Sequence, residues 1–274
     1  MIGSPVRHSL SPTLLNAAFA AEGLDWVYAA FEVPEGKGGD AVAAMRALGL
    51  GGLSVTMPHK AAAHDAVDGR TEVAAALGAV NCVFRDGDRL VGDNTDGPGF
   101  LDALVHDQGV DVRGRRCVVL GAGGAGRAVA RALGGAGAAE VVVVNRSPGP
   151  AARAAELAGR AGRVGGPSDV GSADLVVNAT PLGMAGGGPP ELPADPALLD
   201  ARQVVVDLIY HPADTPLLQA ARARGATTVN GLGMLVHQAA HAFTRWTGRP
   251  APISVMRAAV AAELAARAPA DGGS

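Results

Sequence analysis

Short apolar runs alternate along the chain with stretches whose apolar positions recur every three or four residues. SPTLLNAAFAAEG (11–23) reads as a helix, with Ser11 as N-cap and Pro12 at the first helical position. WVYAAFEV (26–33) and GLSVTM (52–57) read as strands, and GGDAVAAMRALG (38–49) and TEVAAALG (71–78) as helices. AVNCVFRDGDRLVGDN (79–94) divides into two strands joined through Asp86-Gly87, a favoured hairpin signal. A helix begins near Thr95. After it come CVVLGAGGAGRAVARALGGAG (117–137) and EVVVVNRS (140–147), the strand, glycine loop, helix and strand of a βαβ unit. DLVVNATP (174–181) and QVVVDLIY (203–210) add strands, and GMLVHQAAHAFTRWTG (233–248) a final long helix. Strands alternating with helices predict an α/β architecture with mainly parallel sheets and a domain boundary near residue 98. The tail ARAPADGGS (266–274) is expected to fray.

Composition narrows the function classes. The chain has 274 residues, 48% hydrophobic and 18% charged, enough to bury one large or two modest cores. Aromatic residues make up 3%, net charge is −3 and no basic cluster occurs, which argues against nucleic acid and anionic membranes as partners. No apolar run approaches the roughly 18 residues of a membrane span. The opening MIGSPVRHSL lacks the layout of a secretory signal. Cys82 and Cys117 lie far apart inside apolar runs and read as buried thiols. These features predict a soluble cytoplasmic protein.

GAGGAG places Gly121, Gly123 and Gly126 in a G-x-G-x-x-G pattern between a strand and a helix, the context in which that pattern binds dinucleotides. Gly121 serves the tight turn, Gly123 the close approach of a pyrophosphate, and Gly126 the packing of helix on sheet. The helix N-terminus then offers N–H groups to phosphate. NAD sites usually carry an acidic residue about 20 residues further on, bonded to the ribose hydroxyls. Here the second strand ends in Asn145-Arg146-Ser147, without a carboxylate. An arginine there suits a 2′-phosphate, so NADP(H) is the expected cofactor, with Arg153 as a candidate second clamp.

Polar clusters follow the ends of several apolar strands, where ligands bind in open α/β sheets. They include Ser9 and Ser11, Thr56 and Lys60, Asn81, and Asp96. Singly, Ser11 and Asp96 could cap helices and Lys60 could be solvated. Together, hydroxyl, amide, ammonium and carboxylate suit a small polyhydroxylated acid. His237 and His241 have a zinc-compatible i, i+4 spacing, but Gln238 replaces the glutamate of an HExxH site, and no metal is expected.

In order along nearly the whole chain, GSPVRHSLSP, SVTMPHK, GAVN, GDNTDG, GAGGAGRA, NRS, NATPLGM, VVVDLIYHP…TPLL and GLGMLVHQAAHAFTRWTG resemble signatures of the shikimate dehydrogenases of aromatic amino acid biosynthesis, on the way to chorismate. The resemblance implies a two-domain fold: a substrate domain of residues 1–97 and 234–274, and an NADP-binding Rossmann domain of residues 98–233. It implies reversible reduction of 3-dehydroshikimate to shikimate with NADPH, in a monomer or homodimer. Ser9 and Ser11 match the pair that holds the substrate carboxylate. Thr56, Asn81, Tyr210 and Gln238 match further substrate contacts, and Lys60 and Asp96 the catalytic pair. Gly121, Ala122, Gly123, Gly124 and Ala125 match the phosphate loop, and Asn145, Arg146 and Ser147 the 2′-phosphate site. Leu208, Gly231 and Met234 match positions lining the nicotinamide.

The chain departs from the family pattern in places. Ser54 stands where asparagine is usual, so one hydrogen bond of an amide can survive but not both functions. Cys82 stands where threonine is common. The opening MIG replaces a longer first strand, which implies a start upstream or a short first strand. Three extra residues, PGP, precede Arg153. Two alternatives stay open. A quinate or quinate/shikimate dehydrogenase could use the same polar set, with broader substrate or NAD use. An NADPH-binding sensor without catalysis would have no need of Lys60 and Asp96.

Overall fold

The computed structural model describes residues 1–184 and 191–267. Of the tail expected to fray, residues 268–274 lie outside the described residues. The chain divides into two compact units, one of Met1–Thr95 with the chain from Val236 onward, the other of Asp96–Leu235.

The first unit begins with β1 (Ile2–Gly3), α1 (Ser11–Ala21), β2 (Phe31–Glu32), α2 (Gly38–Ala47), β3 (Gly52–Ser54), α3 (Lys60–Ala66), β4 (Gly69–Arg70), α4 (Glu72–Leu77), β5 (Cys82–Asp86) and β6 (Arg89–Asp93). β1 and β2 pair in parallel, and the other strands form a sheet in the order β3-β5-β6-β4. Strand pairing in the described residues is mainly parallel, as expected, but this sheet is an exception: β3–β5 and β5–β6 are antiparallel and β4–β6 is parallel. A two-residue hairpin causes this. Asp86 pairs with Arg89, so the loop is Gly87-Asp88 rather than Asp86-Gly87, and Gly87 takes φ +59°.

The strand expected over 26–33 shrinks to Phe31–Glu32, since β1 offers two residues to pair with. Upstream, side-chain bonds replace a ladder: Tyr28 N donates to Asn16 Oδ1 at 2.7 Å, and Asn16 Nδ2 to Tyr28 O at 3.0 Å. Ser11 does not cap α1. Leu10 takes the N-cap position, which places Ser11 inside the first turn and Pro12 after it.

The second unit holds α5 (Asp96–Asp102), which runs on as a π-helical turn over Ala103–Asp107, then β7 (Arg116–Leu120), α6 (Gly124–Gly135), β8 (Glu140–Val144), α7 (Pro148–Leu157), β9 (Gly162–Val164), β10 (Leu175–Asn178), β11 (Val204–Asp207), α8 (Pro216–Ala223) and β12 (Thr227–Val229). All six strands are parallel, in the order β12-β11-β10-β7-β8-β9. That is the 3-2-1-4-5-6 order of a doubly wound dinucleotide fold. Its valine runs are buried on both faces. Val119, Val143 and Val177 enter one core, with Leu133 and Ala154. Val118, Val142 and Val176 enter the other, with Leu199 and Leu218. Each fully buried valine contributes about 1.5–3 kcal/mol over an exposed one.

The chain then forms α9 (Leu232–Thr247) and α10 (Ile253–Arg267). In the first unit Phe243 of α9 stacks on Phe19 of α1 at 5.6 Å, Trp246 donates to Val83 O at 3.0 Å, and α10 packs against α1.

Asp169 joins strand ends in the second unit. It accepts from Arg163 Nη2 of β9 at 2.5 Å, from Gly166 N at 2.9 Å and from Arg116 Nη2 of β7 at 3.2 Å. The Arg163 hydrogen bond, more than any other contact, holds its carboxyl at about 2, below the ordinary 3.8. A depressed folded-state value stabilises the fold above pH 4 or so, and that gain is lost as pH falls toward 2. Asp169→Asn should therefore lower Tm at pH 7, and the gap from wild type should narrow between pH 4 and pH 2.5, read by circular dichroism. An equal gap at both ends of the series contradicts this.

Candidate active site

In the first unit the strand ends are stitched together by backbone bonds. Thr56 N donates to Ile2 O at 3.0 Å, Ser4 N to Met57 O at 3.0 Å, Val55 N to Asn81 O at 2.7 Å and Val80 N to Lys60 O at 2.9 Å. Thr56, Lys60 and Asn81 are thereby brought to one place. Thr56 lies over Gly3, where a Cβ would collide with its methyl group. Lys60 is half-buried and opens α3, after His59, whose Nε2 meets Val33 O at 2.8 Å. The Met57–Pro58 peptide is cis.

Asn81 is buried and bonds Thr95 reciprocally. Its Oδ1 accepts from Thr95 N at 2.8 Å, and its Nδ2 donates to Thr95 Oγ1 at 3.0 Å. Asp93 reinforces the same segment. It accepts from Thr71 Oγ1 at 2.6 Å, Asn94 N at 2.8 Å and Arg245 Nε at 2.8 Å. Sequence reasoning passed over Thr95 and Asp93. The signal available was a run of short polar residues closing an apolar strand, GDNTDG.

Ser9 and Ser11 are adjacent, with Ser11 N donating to Ser9 Oγ at 3.2 Å. Ser9 Oγ thus accepts from the first N–H of α1 from just outside the helix, and the Ser11 hydroxyl keeps no hydrogen-bond partner among the described residues. Two hydroxyls on one turn suit an anionic oxygen pair. Gln238 is half-buried on α9. Beside it, His237 Nε2 meets Arg257 Nη2 at 2.9 Å, and a guanidinium at that distance opposes a cation.

In the second unit the glycine loop has the geometry its pattern predicts. Gly121 adopts φ +102°, and a Cβ there would lie 3.0 Å from Ala179 O. A Cβ on Gly126 would strike the Gly121 carbonyl, whereas one on Gly123 would meet nothing within 4 Å. Gly123 therefore offers open backbone to a ligand just before α6. Asn145 is tied to the loop, its Oδ1 accepting from Ala122 N at 3.3 Å and its Nδ2 donating to Ser147 O at 3.0 Å. Gly124 and Ala125 form the first turn of α6, and Arg146 is exposed at the end of β8. Arg153 lies on α7, and its Nη1 is 3.7 Å from where a Cβ on Gly149 would sit. These features fit a dinucleotide carrying a 2′-phosphate.

Leu208 and Gly231 meet closely. Gly231 N donates to Ile209 O at 3.0 Å, and a Cβ on Gly231 would run into the Leu208 carbonyl. Met234 and Leu208 are partly buried against the same core. Asp207, missed by sequence reasoning, braces this turn and hence Tyr210 beyond it. It accepts from Thr215 Oγ1 at 2.7 Å, Asn178 Nδ2 at 3.0 Å and Ile209 N at 3.1 Å, and burial pushes its carboxyl upward. Asp96 is buried at the first position of α5.

A six-stranded parallel sheet with this loop and a basic strand end defines a dinucleotide-binding protein. Residues 1–83 match the shikimate dehydrogenase substrate binding domain, residues 103–178 the shikimate/quinate 5-dehydrogenase domain and residues 231–261 the shikimate 5′-dehydrogenase C-terminal domain. A shikimate dehydrogenase (NADP(+)) of Symbiobacterium thermophilum is 48% identical over 96% of this chain and 93% of its own. The shikimate 5-dehydrogenase of Thermus thermophilus, solved with NADP(H) and shikimate, superposes with a TM-score of 0.88 at 39% identity, over 95% of this chain and 97% of that one. The quinate dehydrogenase of Corynebacterium glutamicum, solved with NAD, gives 0.86 at 33% identity, over 95% and 97%. The chain belongs to the shikimate dehydrogenase family.

Gly126→Ala forces the Gly121 carbonyl to move. It should weaken NADPH binding at least about tenfold, or about 1.4 kcal/mol, in a fluorescence titration. Unchanged affinity would show that the loop tolerates a side chain there.

Proposed function

We propose that this chain catalyses the reversible NADPH-dependent reduction of 3-dehydroshikimate to shikimate. One observation carries the reading: 48% identity to an NADP-dependent shikimate dehydrogenase across 96% of the chain. The polar positions Ser9, Ser11, Thr56, Lys60, Asn81 and Asp96 all stand in this chain. Bound NADPH supplies the hydride, and the protein supplies position and a proton.

The Ser9 and Ser11 hydroxyls donate to the substrate carboxylate. Thr56, Asn81, Tyr210 and Gln238 bond its ring hydroxyls and carboxylate. Lys60 and Asp96 carry the proton transfer. As an ammonium, Lys60 polarises the ketone and donates a proton as charge develops on oxygen. In oxidation it takes that proton back. Gly121 to Ala125 cradle the pyrophosphate, Asn145 to Ser147 hold the adenosine end, and Leu208, Gly231 and Met234 line the nicotinamide. The reaction belongs to the cytoplasm, which suits the buried free thiols Cys82 and Cys117, the latter pushed up by burial to about 12.

A steady-state assay crossing shikimate and quinate with NADP and NAD tests the reading. Shikimate with NADP should give the highest kcat/KM. Faster turnover of quinate with NAD would replace this function with the quinate one, and tight NADPH binding without turnover would leave only a sensor. Ser9→Ala and Ser11→Ala should each raise KM for shikimate by roughly 10- to 100-fold, the worth of a charged hydrogen bond, and change kcat far less. A fall confined to kcat would remove the pair from carboxylate binding.

A further inference from the structure

Arg127 is unassigned by the reading above, yet its surroundings are unusual. It lies on the second turn of α6, half-buried, one residue after Gly126. α6 packs along α7, and the two helices come close enough that a Cβ on Gly134 would lie 2.7 Å from Ala158 Cα. Side chains on a helix lean toward its N-terminus, so Arg127 leans back toward the glycine loop and Arg153 toward the Asn145–Ser147 turn. Arg153 does fold back in this way, with Nη1 reaching Gly149, a position without a side chain to block it.

Burial first, and then the Arg153 charge, lower the pKa of Arg127 from its ordinary value. Neither Arg146 nor Arg153 is paired with a carboxylate among the described residues. Bringing like charges together out of water costs free energy unless an anion joins them. Arg127 on α6, Arg146 at the end of β8 and Arg153 on α7 follow the paired strands β7 and β8, whose ends carry the glycine loop and the Asn145–Ser147 turn.

We propose that Arg127 is a specificity-determining residue for the cofactor, a guanidinium on α6 that binds the 2′-phosphate of NADP together with Arg146 and Arg153. The proposal rests on the NADP reading and deepens it. Arg153 starts from the second turn of α7, behind Pro148, Gly149 and Pro150, and must reach back to the strand end. Arg127 approaches from the facing helix and completes a bidentate clamp that one extended side chain does not fix.

Calorimetric titration with adenosine 2′,5′-bisphosphate and with adenosine 5′-monophosphate reads this without turnover. Wild type should bind the bisphosphate more tightly. Arg127→Gln should weaken bisphosphate binding by roughly 10- to 100-fold and leave the monophosphate unchanged. Arg127→Lys, which keeps the charge and loses the fork, should fall between, and it serves if the glutamine variant misfolds. A discriminating wild type with an unaffected Arg127→Gln, or an unaffected Arg127→Lys, overturns this proposal alone. Equal loss for both ligands overturns it in favour of a role in shaping the loop. A wild type that does not discriminate overturns the NADP reading and this proposal with it.

Discussion

The reciprocal hydrogen bonds between Asn81 and Thr95 fix much of the candidate substrate site. A buried amide left unpaired costs a few kcal/mol, so the amide holds its partner firmly. Here both ends of the Asn81 amide meet one residue. Its backbone carbonyl binds Val55 N, and the Lys60 carbonyl takes the amide of the residue before it. Thr56, Lys60 and Asn81 are therefore held in mutual register by short, buried bonds. Asp93 ties the same segment to α4 through Thr71 and to α9 through Arg245. A carboxylate with three donors, one of them charged, is well compensated for its burial.

The nucleotide unit depends on the opposite kind of constraint. Its strands are held by apolar burial on both faces, and its ligand loop by the absence of side chains. Gly121 and Gly126 let backbone touch backbone, and Gly123 leaves backbone open. Elsewhere glycine serves turns and helix ends, as at Gly78, which closes α4 with φ +57°. On the proposed reading, the arginines near the loop add the charge that selects the dinucleotide.

Much of this was legible beforehand because periodicity and ordered motifs report it directly. The valine strands, the glycine loop and the basic end of β8 all stand where the pattern put them. What was misread depends on partners distant in sequence. The strand over 26–33 had the right residues, but β1 was too short to pair with it, and Asn16 took over. Ser11 had the chemistry of a cap, yet the helix starts one residue earlier, so Leu10 takes the N-cap position and Ser11 N bonds Ser9 Oγ. The antiparallel sheet followed from a hairpin already visible at Gly87, whose consequence for sheet direction went undrawn. Thr95, Asp93 and Asp207 look like ordinary polar residues at strand ends until their buried partners are known. Arg127 lies in a motif read for its glycines, and the packing of its helix α6 on α7, which carries Arg153, is visible only in the fold.

The role of Lys60 is the central claim, and a single-turnover measurement tests it most directly. Limiting NADP mixed with excess enzyme saturated with shikimate reports by absorbance the one NADPH that each cofactor molecule can form, free of product release. For Lys60→Ala with both ligands bound, the account predicts a rate lower by about 10²- to 10⁴-fold, the usual range for a lost general acid–base group. A single-turnover rate equal to wild type, at full occupancy, contradicts it.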